Sequence, residues 1–191
     1  MRDMSVKLLL LSGNRHKYLE IKDIAREYGV DVTPLEGLKI EIQDDDLSNI
    51  ALTAALIGYS LLRKPVLVED AGLFIRALNG FPGPYSSYVF KTLGLNGVLK
   101  LMEGISERDA CFKSVAVAVI HGEIIRGEGE VCGYITTTPR GNKGFGFDPV
   151  FAPREQPYRT FGEMDVEEKN KYSHRAKAVK AVFEKIKEKA G

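Results

Sequence analysis

The sequence predicts an α/β protein with a mixed sheet, and three patterns support this. Residues 7–11 form an apolar run, which the small turn at 12–14 ends before a helix over 17–28. Residues 66–68 form a second apolar run, of the kind that lies buried inside a sheet. Residues 110–120 and 124–132 are two β-rich runs joined by a tight turn. Because this hairpin has no helical crossover, the sheet must combine parallel and antiparallel strands.

The other segments predict elements between these strands. The run 32–42 predicts two short extended pieces around Pro34 and Gly37, and the acids at 44–46 predict the start of a helix over 47–62, with Leu61 on its buried face. Helices are also expected over 85–93 and 96–102. Ser173 predicts the cap of a last helix. The buried face of that helix is expected to be Val179, Val182, Phe183 and Ile186.

Length and composition fit one ordinary globular domain. The 191 residues suffice for a core, and 44% of them are hydrophobic and 28% charged. A net charge of +1 gives no basic field for a nucleic-acid partner, and no stretch offers the roughly 20 apolar residues that span a membrane. Cys111 and Cys132 are too few for a disulfide scaffold or a metal cluster. We therefore expect two buried free thiols in a reducing, cytoplasmic compartment.

The first candidate site is the turn after the first strand. A strand, a turn of small residues and a helix direct backbone N–H groups and the positive end of the helix dipole at one point, which favours an anion. Arg15, His16 and Lys17 add donors there. The turn is not a Walker A loop, because G-x-x-x-x-G-K-[ST] is absent. A phosphate site and a plain strand–helix connection both remain open.

The second candidate site is acidic. Glu69 and Asp70 follow the buried run 66–68, at the predicted carboxyl end of a strand, where open α/β sheets bind ligands. Glu41 ends an extended run and is a candidate to share a cation with either acid. Mg²⁺ prefers hard oxygen ligands, usually one or two carboxylates with water and phosphate. The plain alternative is a loop whose acids face water.

Two later stretches offer groups that could recognise a nucleobase. Residues 139–151 interleave three glycines with Phe145 and Phe147, which makes a loop that a ligand can approach. Its rings either stack on a base or pack on the core. His174 and Arg175 begin the last helix, where cations oppose the dipole. That unfavourable placement indicates either a site or charges that face solvent.

Four blocks of sequence together resemble the inosine triphosphate pyrophosphatase family. They are SGNRHK at 12–17, VEDAGL and ALNGFPGPYS within 68–86, GFGFDPVF at 144–151, and TFGEMDVEEKNKYSHR at 160–175. The resemblance implies one domain over 1–191, with two lobes around a long twisted mixed sheet and an active site in the cleft between them. It also implies a homodimer. The implied activity is the Mg²⁺-dependent hydrolysis of ITP, dITP and XTP, non-standard purine nucleoside triphosphates, to the monophosphate and pyrophosphate.

The resemblance also implies roles for individual residues. Asp70 would be the proton acceptor in catalysis and, with Glu41, a metal ligand. Lys169, His174 and Arg175 would contact the base and its oxygens. The residues expected at the triphosphate are Ser12, Gly13, Asn14 and Lys17, with Arg15 and His16 in the same turn and the backbone N–H of Ala71. The residues expected around the base are Phe145, Gly146, Phe147 and Asp148.

Three positions depart from the family's pattern. Ser12 replaces the usual threonine and keeps its hydroxyl. Ala71 stands where a serine normally follows the catalytic aspartate, so a side-chain contact to phosphate is lost. Ala54 stands where the second helix often carries a lysine, so one partner for the phosphates is missing or supplied elsewhere.

Two alternative functions remain open. One is a pyrophosphatase of the same fold that acts on modified pyrimidine triphosphates, and the other is a non-catalytic nucleotide-binding module, which only Ala71 favours.

Donors from His174 or Arg175 would pair with the 6-oxo group of hypoxanthine or xanthine. They would meet an amine in adenine, and a site that reads a polar group in this way discriminates strongly.

Overall fold

The computed structural model describes residues 6–190, and within them one mixed sheet organises the chain. Its strands are β1 (Val6–Leu11), β2 (Val30–Leu35), β3 (Val66–Ile75), β4 (Pro82–Gly83), β5 (Asp109–Ile120), β6 (Glu123–Ile135) and β7 (Phe151–Pro153). The order across the sheet is β2-β1-β3-β5-β6-β7, and β4 pairs with β3. β1 is parallel to β2 and β3, whereas the pairs β3–β5, β5–β6 and β6–β7 are antiparallel. The predicted mixed α/β fold is confirmed.

Helices flank the sheet on both faces. They are α1 (Arg15–Tyr28), α2 (Leu47–Leu62), α3 (Ser86–Thr92), α4 (Gly94–Leu101), α5 (Val166–Lys169) and α6 (His174–Ala190), with short 3-10 turns at Arg76–Leu78, Asp148–Val150 and Phe161–Glu163. α1 begins two residues earlier than predicted, because the Asn14 side chain caps it. Gly29 ends α1 in the left-handed conformation, at φ 65°. α2 has the predicted bounds, and Asp46 caps it.

The alternation of side chains along the strands separates the two layers. Leu67 packs with α1 and α6, whereas Val66 and Val68 pack with α2 on the opposite face. A third apolar cluster, which includes Leu73 and Phe151, continues the core toward α3 and α4. The predicted face of α6 is buried. Leu61 is the exception on α2, since it is 61% exposed where we expected burial.

β3 is longer than predicted, and this changes the placement of its acids. The strand does not end at Glu69 and Asp70, because β5 pairs with it along its whole length, from Val66 to Ile75. Parallel pairing with β1, however, covers only Val66 and Leu67. The acids therefore lie just beyond the end of β1, beside the turn at 12–14. Alternation places Glu69 on the α1 and α6 face and Asp70 on the α2 face.

Two further expectations are wrong. The run 32–42 contains one strand, which ends at Leu35, and Glu41 lies in an irregular segment after it. Cys111 and Cys132 are not buried free thiols, because they are opposite each other on β5 and β6 and form a disulfide. Both are only partly buried. Within residues 6–190, every helix is too short or too polar to cross a membrane.

Candidate active site

The turn at 12–14 presents free backbone donors at the start of α1. The Ser12 hydroxyl accepts a hydrogen bond from the N–H of Asn14, at 3.1 Å. The Asn14 side chain accepts one from the N–H of Lys17, also at 3.1 Å. Within residues 6–190, the N–H groups of Gly13, Arg15 and His16 donate to no partner. They remain available to an anion at the positive end of a 14-residue helix.

Lys17 ties this turn to the first acid of β3. Its Nζ lies 2.9 Å from Glu69 Oε2 and donates to the backbone oxygen of Glu69 at 3.1 Å. Glu69 is 1% exposed, and its other carboxylate oxygen accepts from the Ser114 hydroxyl on β5. Burial alone would raise the pKa of Glu69, but the charges of Arg175 and Lys17 hold that pKa well below its usual value. Glu69 is therefore an ionised anchor for two cations.

The two expected metal ligands meet on the other face of β3. Lys39 Nζ donates to Asp70 Oδ1 at 3.0 Å and forms an ion pair with Glu41. Both carboxylates thus share one cation, although Glu41 belongs to the irregular segment and its side chain is more than half exposed. Burial raises the pKa of Asp70, and the nearby Lys39 offsets this only in part. A raised pKa suits a carboxylate that must accept a proton.

A buried series of ion pairs continues from Glu69 toward the last helix. Arg175 Nε lies 3.2 Å from Glu69 Oε2, and Arg175 Nη1 donates to Glu20 Oε2 at 2.6 Å. Lys169 Nζ donates to Glu20 Oε1 and to Asp148 Oδ2, each at 2.7 Å. None of these five side chains is more than 3% exposed. We call the alternating series Lys17–Glu69–Arg175–Glu20–Lys169–Asp148 the charge relay of the site. The name denotes a row of fixed ion pairs and implies no movement of charge or protons.

Glu20 is the member of the relay that the sequence analysis missed. Burial would raise the pKa of Glu20, but the charges of Lys169 and Arg175 lower it, so the carboxylate stays ionised. A signal was present, because Glu20 is one helical turn after Lys17 and adjoins Ile21 on the inner face of α1. An acid on a buried helical face requires a buried cation as its partner.

The glycine-rich loop reaches the relay through Phe145. The ring of Phe145 stacks on His16, with centroids 5.4 Å apart and 19° between the planes. Lys169 Nζ lies 5.0 Å from the same ring centre, and Arg175 lies 5.3 Å from it. Asp148 accepts a hydrogen bond from the N–H of Phe145 at 2.9 Å, which fixes the loop to the relay. The ring thus lies beside the turn, Lys169 and Arg175 at once.

Phe147 differs from Phe145 in its surroundings. It is 3% exposed, belongs to the third apolar cluster and packs edge-on against Phe90. Of the two alternatives for the rings, core packing therefore describes Phe147. Gly144 is required by the loop, because a Cβ there would lie 2.2 Å from the Asp148 carboxylate and the backbone has φ 71°. Gly146 has φ 59° and open space around it.

His174 and Arg175 do not face solvent, so that alternative is wrong. His174 is 2% exposed and stacks on Phe112, with centroids 4.6 Å apart. Its Nδ1 has no hydrogen-bond partner within residues 6–190. Burial, together with the charges of Arg175 and Lys169, lowers the pKa of His174 far below its usual value, so the ring is neutral near pH 7. Ser173 accepts a hydrogen bond from the N–H three residues on, as a helix cap does.

The four blocks found in the sequence therefore meet at one place. The relay joins the start of α1, Glu69 of β3, the loop at 144–148 and the start of α6. Ala71 follows Asp70 on β3, opposite Ser114. Ala54 lies on the buried face of α2 and offers no polar group to the site. Fold and geometry together define an α/β protein with a strongly charged, buried site beside a strand–turn–helix junction.

Comparison with known proteins identifies the family. The model of the Ham1 family matches residues 8–185, and this chain belongs to that family. The dITP/XTP pyrophosphatase of Saccharolobus solfataricus is 50% identical over 174 residues, which cover 91% of this chain and 90% of the relative. That of Hyperthermus butylicus is 49% identical over 173 residues, with coverage of 91% and 90%. A HAM1 protein from Coxiella burnetii shares the fold, with a TM-score of 0.80, 29% identity and coverage of 96% and 99%. The family predicted from the four blocks is confirmed.

The charge relay predicts a large cost for removing its central carboxylate. Glu20→Gln keeps the shape of the side chain but removes the negative charge between Lys169 and Arg175. We expect the free energy of unfolding, measured in urea, to fall by about 3–5 kcal/mol, because a buried charge is left uncompensated. Glu27→Gln, on the same helix, removes an exposed carboxylate 3.6 Å from Lys180 and should change it by less than about 0.5 kcal/mol. Equal stability of the two variants would contradict the role of the relay.

Proposed function

We propose that this chain hydrolyses the non-standard purine nucleoside triphosphates dITP, XTP and ITP to the monophosphate and pyrophosphate. Membership of the Ham1 family and the names of its relatives support this activity. The observation that carries it is the buried relay, because it links the turn at the start of α1, the acid Glu69 of β3 and the aromatic loop. The proposal includes one domain of two lobes over residues 1–191, with the active site in the cleft.

We propose Glu41 and Asp70 as the ligands of Mg²⁺. Both offer hard carboxylate oxygens, and both contact the single ammonium group of Lys39, so one cation is within reach of both. When bound, Mg²⁺ supplies charge neutralisation on the phosphate oxygens. Asp70 orients the attacking water and accepts its proton as the water oxygen bonds to the α-phosphorus.

Donors around the turn hold the triphosphate and stabilise the departing pyrophosphate. The N–H groups of Gly13, Arg15 and His16, which have no partner within residues 6–190, lie at the start of α1. Lys17 donates one hydrogen bond to the backbone oxygen of Glu69 and forms an ion pair with its carboxylate, so a donor remains for a phosphate oxygen. As the bond between the α-phosphorus and its bridging oxygen breaks, these donors stabilise the charge that collects on the leaving group.

The base is proposed to lie against Phe145, between the loop and the start of α6. Arg175 Nη1 donates to Glu20, and no hydrogen bond within residues 6–190 uses Nη2, so Nη2 can donate to a 6-oxo group. Glu20 and Glu69 fix the rest of the guanidinium, which makes this donor rigid. Adenine would place an amine against the same donor, and that mismatch disfavours ATP.

The order of products tests the proposed reaction. With dITP and Mg²⁺, pyrophosphate should be the first product.

The variant Asp70→Asn should lower kcat by about 10²–10⁴-fold, because the proton acceptor is lost, and its thermal unfolding midpoint should equal that of the wild type. Asp31→Asn, on the exposed edge of β2, is the matched control and should leave kcat unchanged. Initial release of orthophosphate would contradict the cut at the α-phosphorus. Faster turnover of modified pyrimidine triphosphates would favour a pyrophosphatase for those substrates. Binding of dITP without release of pyrophosphate would favour a non-catalytic nucleotide-binding module.

We also propose a homodimer that works in the cytoplasm, where nucleotide pools are. The segment 81–93 exposes five large apolar side chains, each more than a third exposed, which a second copy could cover. They are Phe81, Tyr85, Tyr88, Phe90 and Leu93. Light scattering should give twice the chain mass of 21.2 kDa, and Tyr88→Lys should shift it toward the monomer. A monomeric wild-type protein would contradict the dimer.

A further inference from the structure

Lys39 lies inside the proposed site, yet the reaction above gives it no role. It belongs to the irregular segment between β2 and α2, and its side chain is only 13% exposed. Its Nζ contacts three oxygens: Asp70 Oδ1 at 3.0 Å, the backbone oxygen of Glu69 at 3.4 Å, and the Glu41 carboxylate. A buried ammonium needs such oxygens, because it has lost its hydration. Lys39 is thus a fixed part of the site.

Lys17 reaches the same backbone oxygen from another element. Its Nζ donates to the Glu69 oxygen at 3.1 Å, so the two ammonium groups converge on one carbonyl. Like charges this close repel, and the carboxylates of Glu41, Glu69 and Asp70 balance them here. Two converging lysines beside the free N–H groups of α1 form a surface suited to a polyanion.

The partners of Lys39 are those that a divalent cation would use. An ammonium group and a divalent cation repel each other at this distance, so the two compete for the carboxylates of Glu41 and Asp70. When they serve a metal, Lys39 needs another anion within reach of its flexible stem. The triphosphate is the anion that arrives there, and the helix α2, with Ala54 on its buried face, carries no cation of its own.

We propose that Lys39 is a further phosphate-binding residue of this site. Its ammonium group pairs with Glu41 and Asp70 in the free protein and moves to pair with the triphosphate in the complex. This inference rests on the proposed function for its ligand. It adds a cation from the segment between β2 and α2 to those of α1 and α6.

The test measures binding of the metal and of the triphosphate separately in Lys39→Met. Electron paramagnetic resonance of Mn²⁺ alone should show binding tightened by about threefold or more, because a competing cation is gone from the carboxylates. Calorimetry at saturating Mn²⁺ with the non-hydrolysable α,β-methylene analogue of dITP should show binding weakened about tenfold or more, the loss of a charge-assisted hydrogen bond. Lys39→Arg keeps the charge and should stay within about threefold of the wild type for the analogue.

The control is Lys180→Met, which removes a lysine paired with Glu27 on the outer side of α6 and should change neither affinity. A merely structural Lys39 would weaken both ligands together in Lys39→Met. That result, or an analogue affinity within twofold of the wild type, would overturn the inference. Because both readouts are equilibrium binding, failure of the proposed reaction appears separately, as wild-type protein that binds the analogue but releases no pyrophosphate from dITP.

Discussion

The buried carboxylate of Glu69 is the interaction on which the rest of the site depends. It lies on β3 with a side chain almost fully enclosed, and it faces Lys17 from α1 and Arg175 from α6. Without it, Lys17 would keep no ion-pair partner within residues 6–190 and Arg175 would keep only Glu20, and an uncompensated buried charge is strongly unfavourable. One anion on the central strand therefore fixes the starts of two helices that are far apart in the chain.

The arrangement also explains why so much charge can be buried in an otherwise apolar fold. Signs alternate from Lys17 through Glu69, Arg175, Glu20 and Lys169, so each group lies between opposite charges. Such a network contributes little net stability, but it holds its members in one geometry. A fixed donor set is what a site needs in order to tell an oxo group from an amine.

Glu69 and Asp70, on the two faces of β3, have different roles. Glu69 is held ionised by two cations and serves as an anchor, whereas burial raises the pKa of its neighbour Asp70. The alternation of a strand places these successive residues on opposite faces. The anchor therefore lies under α1 and α6, while Asp70 lies toward α2 and the segment that carries Lys39 and Glu41.

Much of the fold could be predicted from periodicity, since α2 has its predicted bounds and the hairpin turns where the sequence indicated. The local sequence pattern gave wrong predictions where pairing between distant segments determines the structure. β5 extends β3 past its acids, and strand register brings Cys111 opposite Cys132. The sequence analysis did not identify Glu20 and Lys39 for the same reason. The role of an acid on a helix, or of a lysine in an irregular segment, depends on partners that are distant in sequence.

A crystal structure with the α,β-methylene analogue of dITP and Mg²⁺ tests the central claim most directly. That claim is that the relay unites a phosphate end and a base end in one site. We expect the base on Phe145 with its 6-oxo group at Arg175, and the triphosphate at the free N–H groups of α1. A nucleotide bound elsewhere, with the relay and the turn untouched, would contradict the account.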